Sequence, residues 1–202
     1  MDSFNGSNKR TVDVKEVLEQ IKKGDWKKQV EDIQYHINNG DNKQVSELKS
    51  KLPAFTISAT YEGKRKPENL ESYSGLLHLD YDKLDNIKDV KSKIISNPYT
   101  YAAFESPSGI GIKVLVKCDN DFSTHTFTFN ALRNYYDNFL KVKSDKSVKD
   151  VLRLCFVSYD SDLYLNENSK VFKYQSYPNN ETQTQKDIKL VWDFTSNKQQ
   201  FI

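Results

Sequence analysis

Cysteine is scarce. The 202-residue chain has two, Cys118 and Cys155, each inside an apolar, strand-like run. They make neither a disulfide framework nor a zinc cluster and read as small core residues in a reducing cytoplasm. No apolar run approaches the length of a membrane span. The first residues, Met1 to Ser7, are polar and lack the core of a signal peptide. No His-x-His pair is present, which argues against a relaxase or rolling-circle nuclease. An excess of one charge sign is also missing. Thirty basic side chains face 28 acidic ones, so the net charge of +2 neither implies nor excludes nucleic acid. A local patch would decide that. There is no internal repeat. With 37% hydrophobic and 29% charged residues, the chain suits one soluble, cytoplasmic domain with a small helical annex.

The chain begins with helical patterning. Val14, Val17, Leu18 and Ile21 recur at helical spacing up to Gly24, and Trp26, Val30, Ile33 and Ile37 continue it. Asn38-Asn39-Gly40 suits a helix end, and Asp41 suits the cap of a third helix through Val45 and Leu48, stopped by Pro53. The outer lysines Lys22, Lys23, Lys27 and Lys28 form either a solvated face or a contact for a nucleic-acid backbone. Ala54 to Tyr61 reads as one strand, followed by a basic exposed loop from Glu62 to Pro67. A strand over Leu76–Asp82, a helix over Lys83–Asn97, strands over Tyr99–Glu105 and Gly111–Lys117, a helix over Ser123–Val142 and a strand over Val151–Val157 follow. In the longest helix Phe129, Leu132, Tyr136 and Phe139 share one face. This order predicts an α+β fold: an antiparallel sheet with helices on one face, preceded by the helical annex. The expected divisions are an annex over 1–53 with a loose first ten residues, a core over 54–175, and a polar linker or tail over 176–202 in which Leu190–Phe194 is a docking candidate.

Three stretches carry chemistry. In Leu76-Leu77-His78-Leu79-Asp80-Tyr81-Asp82 the period of two puts Leu77, Leu79 and Tyr81 on one face. His78, Asp80 and Asp82 fall on the other, which is expected to be open. The two carboxylates then stand roughly 6–7 Å apart along the strand. They repel unless a proton or cation lies between them, and divalent ions about 3.5–4 Å apart would bridge such a site. The other reading is a solvent-facing strand that ends in two aspartates. The second stretch, Ser106-Pro107-Ser108-Gly109-Ile110-Gly111-Ile112-Lys113, is either a glycine hairpin or a phosphate cradle. In the cradle reading Ser108 adds a hydroxyl donor and Lys113 an ammonium. It lacks the spacing of a P-loop. In the third stretch Arg153 sits in an apolar strand and needs an anion, either a structural carboxylate or a substrate triphosphate. Asp145 and Asp150 are both near enough in sequence to supply a third carboxylate. His36 and His125 read as surface residues, while His78 shares the carboxylate face. Tyr73, Tyr81 and Tyr159 are candidate base-stacking platforms.

Taken in order, Leu79-Asp80-Tyr81-Asp82, Ser108-Gly109-Ile110-Gly111-Ile112-Lys113, and Asp145 followed by Arg153 and Ser158 resemble the three motifs of the archaeo-eukaryotic primase-polymerase superfamily. The nearest likeness is to the primase-polymerase-like N-terminal domain of virulence-associated E (VirE) type proteins. It runs from Lys51–Ala54 to Asp160 and Asn166. The resemblance implies an RNA-recognition-like sheet core and a DNA primase or polymerase that binds Mg²⁺ or Mn²⁺. That enzyme would transfer a nucleotide from an NTP or dNTP to a 3′-hydroxyl or an initiating nucleotide, in replication of a mobile element or phage. Single-stranded DNA template and a helicase are the implied partners. Asp80, Asp82 and Asp145 would be the catalytic metal ligands. Ser106, Ser108, Gly109, Gly111, Lys113, Arg153 and Ser158 would bind the nucleotide. One departure stands out: the superfamily's second motif usually ends in histidine, and here Lys113 takes that place. Lysine neutralises phosphate charge but is no neutral imidazole donor. The alternative is a primase-like module that binds nucleotide or nucleic acid without catalysis. A glycosyltransferase using Asp80-Tyr81-Asp82 is disfavoured, because no run of parallel βα units precedes the motif.

Overall fold

Residues 10–174 are described by the computed structural model of the chain. Residues 1–9, the expected tail over 176–202 and its docking candidate Leu190–Phe194 lie outside the described residues. The helices are α1 (Val14–Lys23), α2 (Lys27–Asn38), α3 (Asn42–Lys51), α4 (Ile87–Ser96) and α5 (His125–Leu140). The strands are β1 (Ala54–Thr56), β2 (Ala59–Tyr61), β3 (Leu70–Tyr73), β4 (Leu76–Tyr81), β5 (Thr100–Glu105), β6 (Ile112–Lys117), β7 (Leu154–Phe156) and β8 (Tyr164–Leu165). Short 3₁₀ turns cover Pro67–Asn69 and Lys146–Lys149.

The fold is α+β, with antiparallel sheets, as the pattern of elements predicts. The main sheet has the order β4-β6-β5-β8 with every neighbouring pair antiparallel. β4 and β5 therefore run in the same direction on either side of β6. With α4 between β4 and β5, and α5 after β6, this is a split βαβ unit. The fourth strand, β8, adds beyond β5.

Side-chain alternation builds two cores. Leu77, Leu79, Tyr81, Ala103, Ile112, Val114 and Val116 pack on Val90 and Ile94 of α4 and on Phe129, Leu132, Tyr136 and Leu140 of α5. Ala102, Phe104 and Leu115 point the other way. There they meet Val17, Leu18 and Ile21 of α1, Ile33 of α2, and Cys155 and Val157 around β7. α4 and α5 thus share one face, and the N-terminal helices roof the other. The open face expected to carry His78, Asp80 and Asp82 is closed over at its centre, and His78 is buried. The reason lies in the apolar residues of that second face, which an uncovered sheet would leave in water.

Local rules account for the helix ends. Asp13 caps α1 by accepting from the Lys15 amide at 2.7 Å, and Gly24 closes it at φ 89°. Asp41 caps α3 through the Gln44 amide at 3.1 Å. α4 starts later than its apolar spacing suggests. Lys83 takes φ 53°, the Leu84 amide is drawn to Ile110 O at 2.8 Å, and Asn86 caps the helix through the Asp89 amide. In α5 Phe139 is exposed, and Leu140 takes the buried position expected of it.

The strand expected over Ala54–Tyr61 is broken in two. β1 pairs with β7 and β2 pairs with β3, a strand the sequence pattern did not reveal. Ile57 and Ser58 turn inward between them, and the Ser58 hydroxyl donates to Leu76 O at 2.8 Å. The strand expected over Val151–Val157 shortens to β7. Val151 and Leu152 instead pack under the β2–β3 hairpin with Ala59.

Because α1 shares a core with the sheet, Ile21→Ala is expected to cost about 2–5 kcal/mol. A single denaturant transition with a lowered midpoint is the expected readout. Separate early loss of helix signal would show the annex to be an independent unit.

Candidate functional site

Two neighbouring strands place the first two charges. Asp80 on β4 lies directly opposite Lys113 on β6. Lys113 Nζ donates to Asp80 Oδ2 at 2.6 Å. Lys113 is only 6% exposed. Burial alone would lower its pKa, but Cys155, Asp80 and Asp82 together hold it above the ordinary lysine range. The Cys155 thiol is itself pushed up to about 12 by burial. It is neutral near pH 7, so the two carboxylates carry the effect there. Asp80 Oδ1 is buried and has no hydrogen-bond partner among the described residues. Asp82, one residue past the strand, is exposed. Its pKa is raised by partial burial first, then by Asp80 and Asp145, against the pull of Lys113 and Lys49.

The glycine hairpin abuts the end of β4. A Cβ on Gly111 would stand 2.6 Å from Tyr81 O, 2.8 Å from Ser106 Oγ and 3.2 Å from Asp82 Oδ1, so only glycine fits. Ser106 is buried, and its hydroxyl lies 2.8 Å from that of Ser108. The turn uses part of its own backbone: the Ser106 amide donates to Gly111 O and the Gly109 amide to Ser106 O. Those two amides are therefore spent within the loop and cannot serve an anion. Gly109, at φ 72°, lies against the Gln34 side chain of α2.

The third stretch reaches the same place through a relay in the fold. Asp137 on α5 is buried and accepts from the Tyr81 hydroxyl at 3.2 Å and from the Ser144 amide and hydroxyl at 3.0 and 2.8 Å. The next amide, that of Asp145, donates to Asp80 O at 2.8 Å. The Asp145 backbone thus touches β4, while its carboxylate turns to the Ser147 amide and hydroxyl at 2.8 and 2.7 Å. Burial pushes that carboxyl up, but Ser147, Arg153 and Lys113 more than offset it and leave it below the usual range. Asp150 is engaged elsewhere, capping the Leu152 amide at 2.9 Å. Arg153 is not inside a strand. It is exposed, just before β7, with its guanidinium 4.0 Å from Asp145 Oδ2. An exposed arginine needs no buried counter-charge, so the case for a compulsory anion there falls. Ser158 is fully buried, and its hydroxyl has no partner among the described residues. Among the described residues no three His, Cys, Asp or Glu side chains come together in a group that could hold a metal ion.

The histidines and tyrosines separate. Burial, with Lys113 and Arg153 adding to it, lowers the pKa of His78 to about 3, so it is neutral. His125 is buried, contrary to the surface role its sequence suggests. Its Nε2 lies 3.1 Å from Lys149 O, which can only accept, so Nε2 carries the proton. Nδ1 then accepts from the Tyr73 hydroxyl at 2.7 Å, and Tyr73 accepts from Asn120 at 2.6 Å. Tyr81 is buried under the sheet and unavailable for base stacking. Tyr159 packs near Gly24 with Lys27 Nζ 5.2 Å from its ring centre. Sequence reasoning missed Asp137 and Asp160. Asp160, buried, accepts from Lys91 Nζ at 2.7 Å and from the Glu105 amide at 2.9 Å, which pins the root of the glycine hairpin. Nothing in the local pattern marks either aspartate.

The family model for the BT4734-like, N-terminal domain matches residues 47–165, more than half of the chain. The chain belongs to that family. No curated protein and no solved structure matches it. No helix among the described residues is long and apolar enough to cross a membrane.

A stability measurement can read the cost of holding the Asp82 carboxylate partly buried beside Asp80. Folding raises the Asp82 pKa, so the folded chain keeps that proton to higher pH than the unfolded chain does. Its stabilising contribution is present below the unfolded value and is lost as pH rises through the folded one. In chelator-treated buffer Asp82→Asn is therefore expected to raise the melting temperature at pH 7, with the gain shrinking as pH falls toward 4. An unchanged or lower melting temperature at pH 7 would show that burial and Asp80 do not disfavour the Asp82 carboxylate.

Proposed function

We propose that the chain is a primase-polymerase-like domain that transfers a nucleotide from an NTP or dNTP to a nucleic-acid 3′-hydroxyl or an initiating nucleotide. The supporting observation is convergence. Asp145 N bonds Asp80 O, Lys113 faces Asp80 in register, and Gly111 abuts Tyr81 and Asp82. Three stretches distant in sequence thus place carboxylates, an ammonium and a hydroxyl-bearing turn around the end of β4. A metal ion would be held by Asp80 and Asp82: among the described residues Asp80 Oδ1 is a buried acceptor without a donor, and burial first, then the Asp80 carboxylate, raises the pKa of Asp82. When bound, Mg²⁺ or Mn²⁺ supplies Lewis acidity at the attacking hydroxyl and the pyrophosphate leaving group. Asp145 adds negative charge from the flank, with its carboxylate turned to Ser147. Lys113, Ser106, Ser108 and Arg153 would neutralise and orient the triphosphate, with Gly109 and Gly111 letting it approach; Ser158, fully buried, is out of a ligand's reach. Catalysis is then positioning plus electrostatics. The proposed setting is cytoplasmic replication of a mobile element or phage, on a single-stranded DNA template and with a helicase partner.

A second reading is a module that binds nucleotide or nucleic acid without turnover. The Lys113–Asp80 pair favours it, because at 2.6 Å an internal ammonium already neutralises the first carboxylate.

Incorporation of labelled nucleotide on a primed single-stranded template, with Mn²⁺ or Mg²⁺, decides between them. Turnover by the native chain, lost in Asp80→Asn with Asp82→Asn, is the expected outcome. Turnover that survives the double substitution rejects these roles. Triphosphate binding without turnover in the native chain selects the module.

A further inference from the structure

Four of the eight lysines on the N-terminal helices pair with an acid, Lys15 with Glu167 among them, while Lys22, Lys28, Lys43 and Lys49 have no acidic partner among the described residues. Lys23 pairs with Glu19 at 3.5 Å, Lys27 with Glu31 at 3.7 Å and Lys51 with Glu47 at 2.7 Å. A further group of cations lies at the edge where the β2–β3 hairpin meets the segment leading into β7. Arg65 Nη1 donates to Leu152 O at 2.7 Å and ties the hairpin tip to that segment. Val151 and Leu152 pack beneath it against Ala59, with Tyr61 and Leu70 at the margin. One continuous surface therefore carries Lys64, Arg65 and Lys66 from the hairpin, and Lys146, Lys149 and Arg153 from the segment. All six are exposed. Lys66 is paired with Glu68 and Arg153 reaches Asp145, but among the described residues Lys64, Arg65, Lys146 and Lys149 have no acidic partner. The backbone that bears Lys146 and Lys149 is held by hydrogen bonds. His125 grips Lys149 O, and Asp145 caps the 3₁₀ turn that bears Lys146.

We infer that this edge binds the phosphate backbone of a single-stranded nucleic acid through Lys64, Arg65, Lys146 and Lys149, with Arg153 at its inner end. Unpaired cations fixed on rigid backbone are the electrostatic footprint of a polyanion site. The choice of nucleic acid rests on the proposed nucleotidyl-transfer reading. The Asp145–Arg153 contact joins this edge to the carboxylates, so a strand paired to an incoming nucleotide would run along it. The paired lysines of α1 and α2 are left outside the path.

The full chain is titrated against a fluorescein-labelled single-stranded DNA oligonucleotide by anisotropy at several salt concentrations. Lys64→Glu/Lys146→Glu/Lys149→Glu is expected to weaken binding by about tenfold or more at low salt. The slope of log affinity against log salt is expected to shrink by about 2, at ~0.7 per phosphate contact on single strands. The alanine triple variant repeats the test should the glutamates disturb folding, and circular dichroism checks both. Lys23→Glu/Lys27→Glu is expected to bind like the native chain. Equal binding and equal slope in the folded triple variant overturn the inference. So does failure of the native chain to bind the oligonucleotide, or equally tight binding of a poly-glutamate peptide. Triphosphate binding, measured in the same proteins, is expected to survive the triple substitution. Its absence from the native chain would count against the nucleotidyl-transfer reading alone, leaving the strand result to stand or fall by its own titration.

Discussion

The ammonium of Lys113 lies almost out of water in the middle of a four-stranded sheet. An isolated charge there would cost several kcal/mol, so it must be compensated where it lies. The compensation is the carboxylate directly across the ladder, at 2.6 Å from Nζ. Much of the site depends on this pair. It fixes which oxygen of Asp80 is occupied and which is left without a donor. Burial first, and then the Lys113 charge, keeps the nearby His78 neutral.

The pair is buried because both faces of the sheet are covered. α4 and α5 take the face of Leu77, Leu79 and Tyr81, and α1 and α2 take the face of Leu115 and Phe104. What remains accessible is the end of β4, where Asp82 emerges beside the glycine hairpin. Roofing the sheet confines the charged chemistry to a rim.

Supports for that rim come from residues with no chemical role of their own. Asp137 joins Tyr81 to Ser144 and so delivers the Asp145 amide to β4. Asp160 pins the root of the hairpin at Glu105. His125 holds the turn that follows Asp145. Each is a buried polar group with its hydrogen bonds satisfied. Groups of that kind specify a geometry, because a shifted backbone would leave them unpaired.

The helices, the main strands and the antiparallel α+β class were legible in the order of residues, since apolar spacing and capping are local properties. Val17, Leu18 and Ile21 announce a helix wherever it docks, and Gly24 ends it. The positions of Asp80 and Asp82 at the end of one strand, and the glycine turn, were equally plain, but that Lys113 would pair with Asp80 was not. Legibility stopped at contacts between distant segments. That the second face of the sheet is roofed, that Ala54–Tyr61 divides between two partners, and that Arg153 is exposed while His125 is buried all follow from which surfaces meet. Hydrophobic periodicity says that a face must be covered but not by what. Burial and charge compensation depend on that partner, so for Lys113, His78 and His125 the tertiary structure alone decided the electrostatics.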